Sequence, residues 1–228
     1  LQTWAPEQVR CDKPTIVPRP SLSNAARPST FTVEARDETG ALKPTPIAGE
    51  HPLTIYVDKR EILTIMTLGA APEALVLGYL RNQRLVNGID DILSVQVDWE
   101  VNACSVTTRH GLKNLDEKLA KRTKTTGCGE GTVFGDLMEE IDQIALRRNV
   151  FVEEETLFGL LNNVRLHESI YKQAGAVHGC ALADGEHILT FVEDVGRHNA
   201  VDAIAGWMWL EGVSGEDKMF YTTGRLTS

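Results

Sequence analysis

Apolar and polar positions alternate most regularly at Leu53–Val57 and Ile62–Thr67, on either side of the charged run Asp58-Lys59-Arg60-Glu61. A period of two, bounded by a polar turn, predicts a β-hairpin. Pro72-Glu73 then opens a helix through Ala74, Leu75, Leu77, Gly78 and Leu80, because proline suits the first helical turn. Leu93–Trp99 and Val101–Thr108 read as a second hairpin turning near Glu100, and Leu112–Arg122 as a helix ending in the basic cluster Lys121, Arg122, Lys124. Phe134, Leu137, Met138, Ile141 and Ala145 follow the spacing of an amphipathic helix, and the glutamates at 153–155 suit the start of another. In the last third, Ala176–Ala183 and Ile188–Glu193 flank the turn Asp184-Gly185. The apolar face of Val201, Ile204, Ala205 and Met208 predicts a helix, and Lys218–Thr223 a closing strand.

Residues 1–48 break this regularity. They hold seven of the nine prolines with little periodicity, which predicts an extended arm with at most one strand, at Phe31–Ala35. The order of elements thus predicts an α/β or α+β protein. It consists of the arm 1–48, a β-rich lobe with one or two helices over 49–122, and a second lobe over 123–228. With 228 residues, 42% hydrophobic and 24% charged, the chain can bury a substantial core. A net charge of −9 excludes nucleic-acid binding through overall charge. No apolar run approaches the roughly 18 residues of a membrane span. Four scattered cysteines without C-x-x-C spacing do not make a disulfide framework and point to a reducing cytoplasm. The chain opens on Leu1 without a methionine, which leaves room for a removed leader.

Three constellations carry candidate chemistry. In TKTTGCGEGTVFGDL, residues 124–138, Cys128 lies between Gly127 and Gly129, and Gly131 stands where C-x-x-C would place a second sulfur. Flanking glycines leave the thiol mobile, and Lys121, Arg122 and Lys124 favour its thiolate while Glu130 opposes it. The nearest other thiol, Cys104, is far along the chain, so a dithiol couple is not expected. A single mobile thiol fits a nucleophile or a persulfide carrier; a glycine-rich turn holding an incidental cysteine stays open beside it. The second constellation joins His178 to Glu193-Asp194-Val195-Gly196-Arg197-His198-Asn199, polar groups between a strand end and a helix start. Ligands gather at such places because helix N-terminal amides hold anions. The alternative is structural: Asn199 as a helix cap with Glu193 and Asp194 in solvent and Arg197 in a surface salt bridge, or Asp194 paired with Arg197 to hold the turn and His198 packed under the cysteine loop. A zinc site is the third. His178 and Cys180 are near neighbours, but His178 is followed by Gly-Cys rather than x-Glu and P-C-x-x-C is absent, so no resident metal is expected.

Taken in order, these motifs resemble the formate dehydrogenase accessory sulfurtransferase family, FdhD. The resemblance runs from Glu50-His51-Pro52-Leu53-Thr54-Ile55 through Met66, Thr67, Pro72 and the Leu77–Leu80 helix to the cysteine loop. It continues through Gly175–His178, EDVGRHNAVD at 193–202, and Thr223–Ser228. It implies a cytidine-deaminase-like three-layer core with a mixed sheet, plus a smaller β-rich N-terminal lobe, as a cytoplasmic homodimer without nucleic-acid or membrane contacts. It implies a sulfurtransferase that accepts sulfur from a cysteine desulfurase as a persulfide on Cys128. The sulfur passes to a molybdenum or tungsten bis-guanine-dinucleotide cofactor, the bound substrate, for insertion into formate dehydrogenase. His178, Asp194, Arg197, His198, Asn199, Gly224 and Arg225 are the implied cofactor-binding residues. The chain departs from the family at Gly131, a cysteine in most members, and at Asn82-Gln83-Arg84-Leu85-Val86, where the family's helix ends near E-G-[IV]. The family also continues beyond the position of Ser228 for a further helix, strand and cofactor-contacting segment. A non-catalytic chaperone holding the same cofactor is the alternative implied function.

Overall fold

The computed structural model describes residues 19–112 and 150–225, together with two short strands at 122–124 and 132–134. The first hairpin forms where alternation predicts it: β4 (His51–Val57) pairs antiparallel with β5 (Arg60–Thr67). Its turn is only Asp58-Lys59, both at positive φ, the backbone that matches the right-handed twist of two-residue hairpins. Asp58 is further held by Thr108, whose backbone N–H and hydroxyl both donate to its carboxylate. Every second residue of β4 (Leu53, Ile55, Val57) is fully buried, and each such aliphatic side chain contributes about 2 kcal/mol of burial free energy.

The second hairpin, β6 (Ile92–Asp98) and β7 (Ala103–Thr108), joins the first through a parallel β4–β7 pairing. The short β1 (Ser21–Leu22) lies parallel to β6, giving a mixed five-stranded sheet in the order β1-β6-β7-β4-β5. A second, antiparallel sheet has the order β11-β10-β12, from β10 (His178–Asp184), β11 (His187–Asp194) and β12 (Met219–Thr222). Helix α1 (Pro72–Asn82) packs on the first sheet and α4 (Arg197–Glu211) on the second. The helices cross so closely that a Cβ on Gly78 would lie 1.6 Å from the Asp202 carbonyl oxygen, and one on Gly206 1.8 Å from that of Ala74. Across this contact Arg81 donates to the Ala205 carbonyl and Asn82 to the Asp202 carboxylate. Between β7 and β10 the described elements are the hairpin β8 (Arg122–Lys124) and β9 (Thr132–Phe134), then α2 (Glu154–Leu166) and the one-turn α3 (Ile170–Ala174).

The arm departs from its expectation. Its described residues carry three strands rather than one: β1, and the hairpin β2 (Thr30–Arg36) with β3 (Leu42–Ala48). Pro44 and Pro46 lie within β3; proline is admitted on a strand's unpaired edge, where no N–H is needed. That allowance made a strand look like coil. The preceding segment is tied down by polar contacts: Ser23 Oγ and Ala25 N both donate to Glu73 Oε1, at 2.6 and 2.7 Å, and Trp99 Nε1 donates to the Ala25 carbonyl. The helix expected over 112–122 is corrected at its ends, since Leu112 is not helical and Arg122 opens β8. Phe134 likewise closes β9 rather than opening a helix. The intervening residues of both expected helices lie outside the described ones.

Candidate functional site

An edge strand of each sheet and the first turn of α4 meet at one buried carboxylate. Asp194, at the end of β11, accepts from Thr67 Oγ1 (2.5 Å) and Leu68 N (3.3 Å) at the end of β5. It also accepts from Gly196 N (3.3 Å) and Asn199 Nδ2 (2.9 Å) at the head of α4. Asn199 Nδ2 also donates to the Met66 carbonyl. Burial raises the Asp194 pKa, while its hydrogen bonds, that from Thr67 foremost, oppose the rise. The structural alternative drawn from the sequence is therefore right in kind and wrong in detail. Asn199 bridges the two halves instead of capping α4, whose N-cap is Gly196; Asp194 is paired by Thr67, Leu68, Gly196 and Asn199 rather than Arg197; and neither Glu193 nor Asp194 faces solvent.

Glu193 points to the other side of β11. Its two carboxylate oxygens accept from the backbone N–H groups of Ile170 and Tyr171 at the start of α3, where a negative charge suits the unpaired amides. Ser169 Oγ accepts from Lys172 N at the same end.

Beside this junction opens a cavity of about 630 Å³. Its floor is the start of β10 and the end of β12 (His178, Gly179, Tyr221, Thr223), its sides α2 and α3 (Leu161, Val164, Arg165, Tyr171, Lys172), with Ser169, Val177, Phe191 and Glu193 between them. Thr223 Oγ1 accepts from Gly179 N, and Thr223 N donates back to the Gly179 carbonyl, so β12 is locked to the floor. A side chain on Gly224 would meet Arg197 Cβ and Cδ at 3.1 Å, which puts the turn after β12 against the first turn of α4. The wall offers two cations, Arg165 and Lys172, an imidazole, and aromatic faces on Tyr171, Tyr221 and Phe191. Cations with flat apolar surface are what a phosphate-bearing, ring-containing ligand needs. A smaller cavity of about 310 Å³ lies on the far side of α3, sharing Ser169, Phe191 and Glu193 with the first.

Of the site residues expected from the sequence, His178 lines the larger cavity, while Gly224 and Arg197 adjoin its floor. Asp194 and Asn199 are spent on the junction. His198 stands exposed in the first turn of α4, its pKa lowered by partial desolvation and then by the charge of Arg197, and Arg225 is exposed. Cys128 falls outside the described residues, in the segment joining the paired strands β8 and β9. Sequence reading missed Arg165, Tyr171, Lys172 and Tyr221. Only the nearness of Tyr171-Lys172 to Gly175–His178 signals any of them, because single cations on short helices look like surface residues.

Fold and cavity together define a mixed α/β protein with a cation-edged cleft at a sheet-to-helix junction. Residues 48–228 match the model of the FdhD/NarQ family, and the chain belongs to that family. It is 32% identical over 184 residues to the sulfur carrier protein FdhD of Listeria monocytogenes serotype 4b, covering 80% of this chain and 70% of that protein. It is 27% identical over 210 residues to the protein of the same name from Halalkalibacterium halodurans, covering 91% and 77%. A crystal structure of a protein provisionally described as a formate dehydrogenase accessory protein, from Desulfotalea psychrophila, has the same fold. Its TM-score is 0.68 at 24% identity, over 87% of this chain and 76% of that one. No described helix is long and apolar enough to cross a membrane.

Proposed function

We propose that this chain is a sulfur carrier acting in formate dehydrogenase maturation, with Cys128 as the carrying thiol and the large cavity as the seat of a guanine-dinucleotide molybdenum or tungsten cofactor. The observation that carries the reading is the chain's membership of a family whose relatives are named sulfur carriers, joined to a cleft of suitable chemistry. In the proposed step the Cys128 thiolate attacks the outer sulfur of a cysteine desulfurase persulfide. The S–S bond of the donor breaks, its thiolate leaves, and Cys128 holds the sulfane sulfur. His178, Arg165 and Lys172 are proposed to hold phosphate oxygens, with Arg197, His198, Asn199, Gly224 and Arg225 bordering or bracing the same region. The core is read as cytidine-deaminase-like, and the working form as a cytoplasmic homodimer that hands its product to formate dehydrogenase.

The experiment is incubation with a cysteine desulfurase and cysteine. A gain of about 32 Da, one sulfur atom, is expected on the peptide containing Cys128. No gain, or an equal gain in Cys128→Ala, would sink the carrier role. Gly131, which stands where most of the family has a second cysteine, supports one other reading: a chaperone that holds the cofactor without moving sulfur. Survival of formate dehydrogenase maturation in Cys128→Ser would favour it.

A further inference from the structure

Glu193 presents a contradiction if the large cavity takes an anion. A carboxylate on the wall of such a site should repel its ligand, yet Glu193 lines it. Its geometry resolves the conflict. Both oxygens are turned into the amides of Ile170 and Tyr171, and the residue is only 7% exposed. The helix it grips, α3, is a single turn and too short to be stable by itself. Beyond its C-terminal end two consecutive residues, Gly175 and Ala176, take positive φ, so the chain pivots there before entering β10 at His178. Glu193 and the Ser169 cap therefore fix the near end of a segment whose far end is a sharp bend. That segment carries Tyr171 and Lys172 on the cavity wall, and it stands between the larger cavity and the smaller one.

We infer that Glu193 is a positioning residue: its carboxylate clamps α3 and thereby sets Tyr171 and Lys172 for ligand binding. The inference rests on the nucleotide-binding reading above and adds a residue that acts through α3 rather than on the ligand. Removing the clamp and removing a wall charge have opposite signs. If Glu193 were merely a negative charge at the rim, Glu193→Ala would tighten binding of GDP. If it positions α3, the same change weakens binding about tenfold, the order of a single misplaced charged contact.

The test is calorimetry with GDP on the full chain, wild type against Glu193→Ala, Lys172→Ala and the double variant. Positioning predicts that the loss from Glu193→Ala shrinks in the Lys172→Ala background, since both act through one contact. Tighter binding, or fully additive losses, overturns it. Glu193→Gln keeps the shape and one acceptor, so it is expected to restore part of the affinity, and it serves alone if the alanine variant does not fold. Amide hydrogen exchange gives an arm that needs no ligand: Ile170 and Tyr171 should exchange faster in either variant while the β10 amides do not. Unchanged exchange refutes the clamp. Absence of GDP binding by the wild type would instead refute the nucleotide reading and leave the clamp to be decided by exchange.

Discussion

At the residue scale, burial makes the two described cysteines, Cys104 and Cys180, unreactive. Cys104 and Cys180 are both fully buried. Burial pushes the Cys104 thiol up to about 12, and it raises that of Cys180 against a hydrogen bond with Thr222. Since the thiolate is the nucleophile, brief treatment of the native protein with iodoacetamide at pH 8 should label neither one. Labelling of either, read by peptide mass spectrometry, would contradict the packing around them. Asp194 behaves differently because its surroundings donate. Replacing it by Asn would turn an amide N–H₂ toward donors from both halves of the molecule, and we expect Asp194→Asn to lose about 2–4 kcal/mol in urea denaturation. A loss below 0.5 kcal/mol would mean that the junction is not a structural tie.

At the scale of elements, the contact between α1 and α4 is the tightest among the described elements. A glycine inside a helix costs about 1 kcal/mol relative to alanine, so Gly78 and Gly206 should be improvable if propensity ruled. Their surroundings reverse the sign, because an added methyl would overlap backbone carbonyls that cannot swing away. We expect Gly78→Ala and Gly206→Ala each to destabilise by about 2–4 kcal/mol; stabilisation by either would show that the helices separate at no cost. Small α3 stands at the other extreme, held by side chains from outside itself. Among the described residues, element existence was legible where the pattern was regular, the ends of the helices expected at 112–122 and 134–145 excepted. Both β hairpins, α1, α2, α4 and the three strands of the second sheet lie where alternation, capping or apolar spacing puts them. The arm's strands were not legible, because a β-hairpin carrying prolines on its edge has the composition of coil.

At the scale of the whole molecule, packing α1 against α4 leaves an ionisable group between the halves. Burial pushes the Asp202 carboxyl up to about 7, against a hydrogen bond from Asn82. Unfolded, this group ionises near the ordinary carboxylate value, so the folded state holds the proton more tightly between that value and about 7. Stability is therefore lost as pH rises through this window. Asp202→Asn should match the wild type near pH 4 and exceed it by about 2 kcal/mol at pH 8, less than full linkage allows because residue 202 is partly exposed. An advantage that is the same at both pH values would remove Asp202 as its source. What the sequence determined by itself was local: which segments alternate, where helices start, and an ordered series of motifs long enough to identify the family. Those signals live in neighbouring residues and survive without a fold. What only the tertiary structure decided was which polar residues of EDVGRHN are structural ties and which border the cleft. Glu193 and Asp194 are adjacent in sequence, but strand alternation sends one to α3 and the other to β5. The partners that fix their roles, Ile170, Tyr171, Thr67 and Asn199, come together only when the two sheets close around the paired helices.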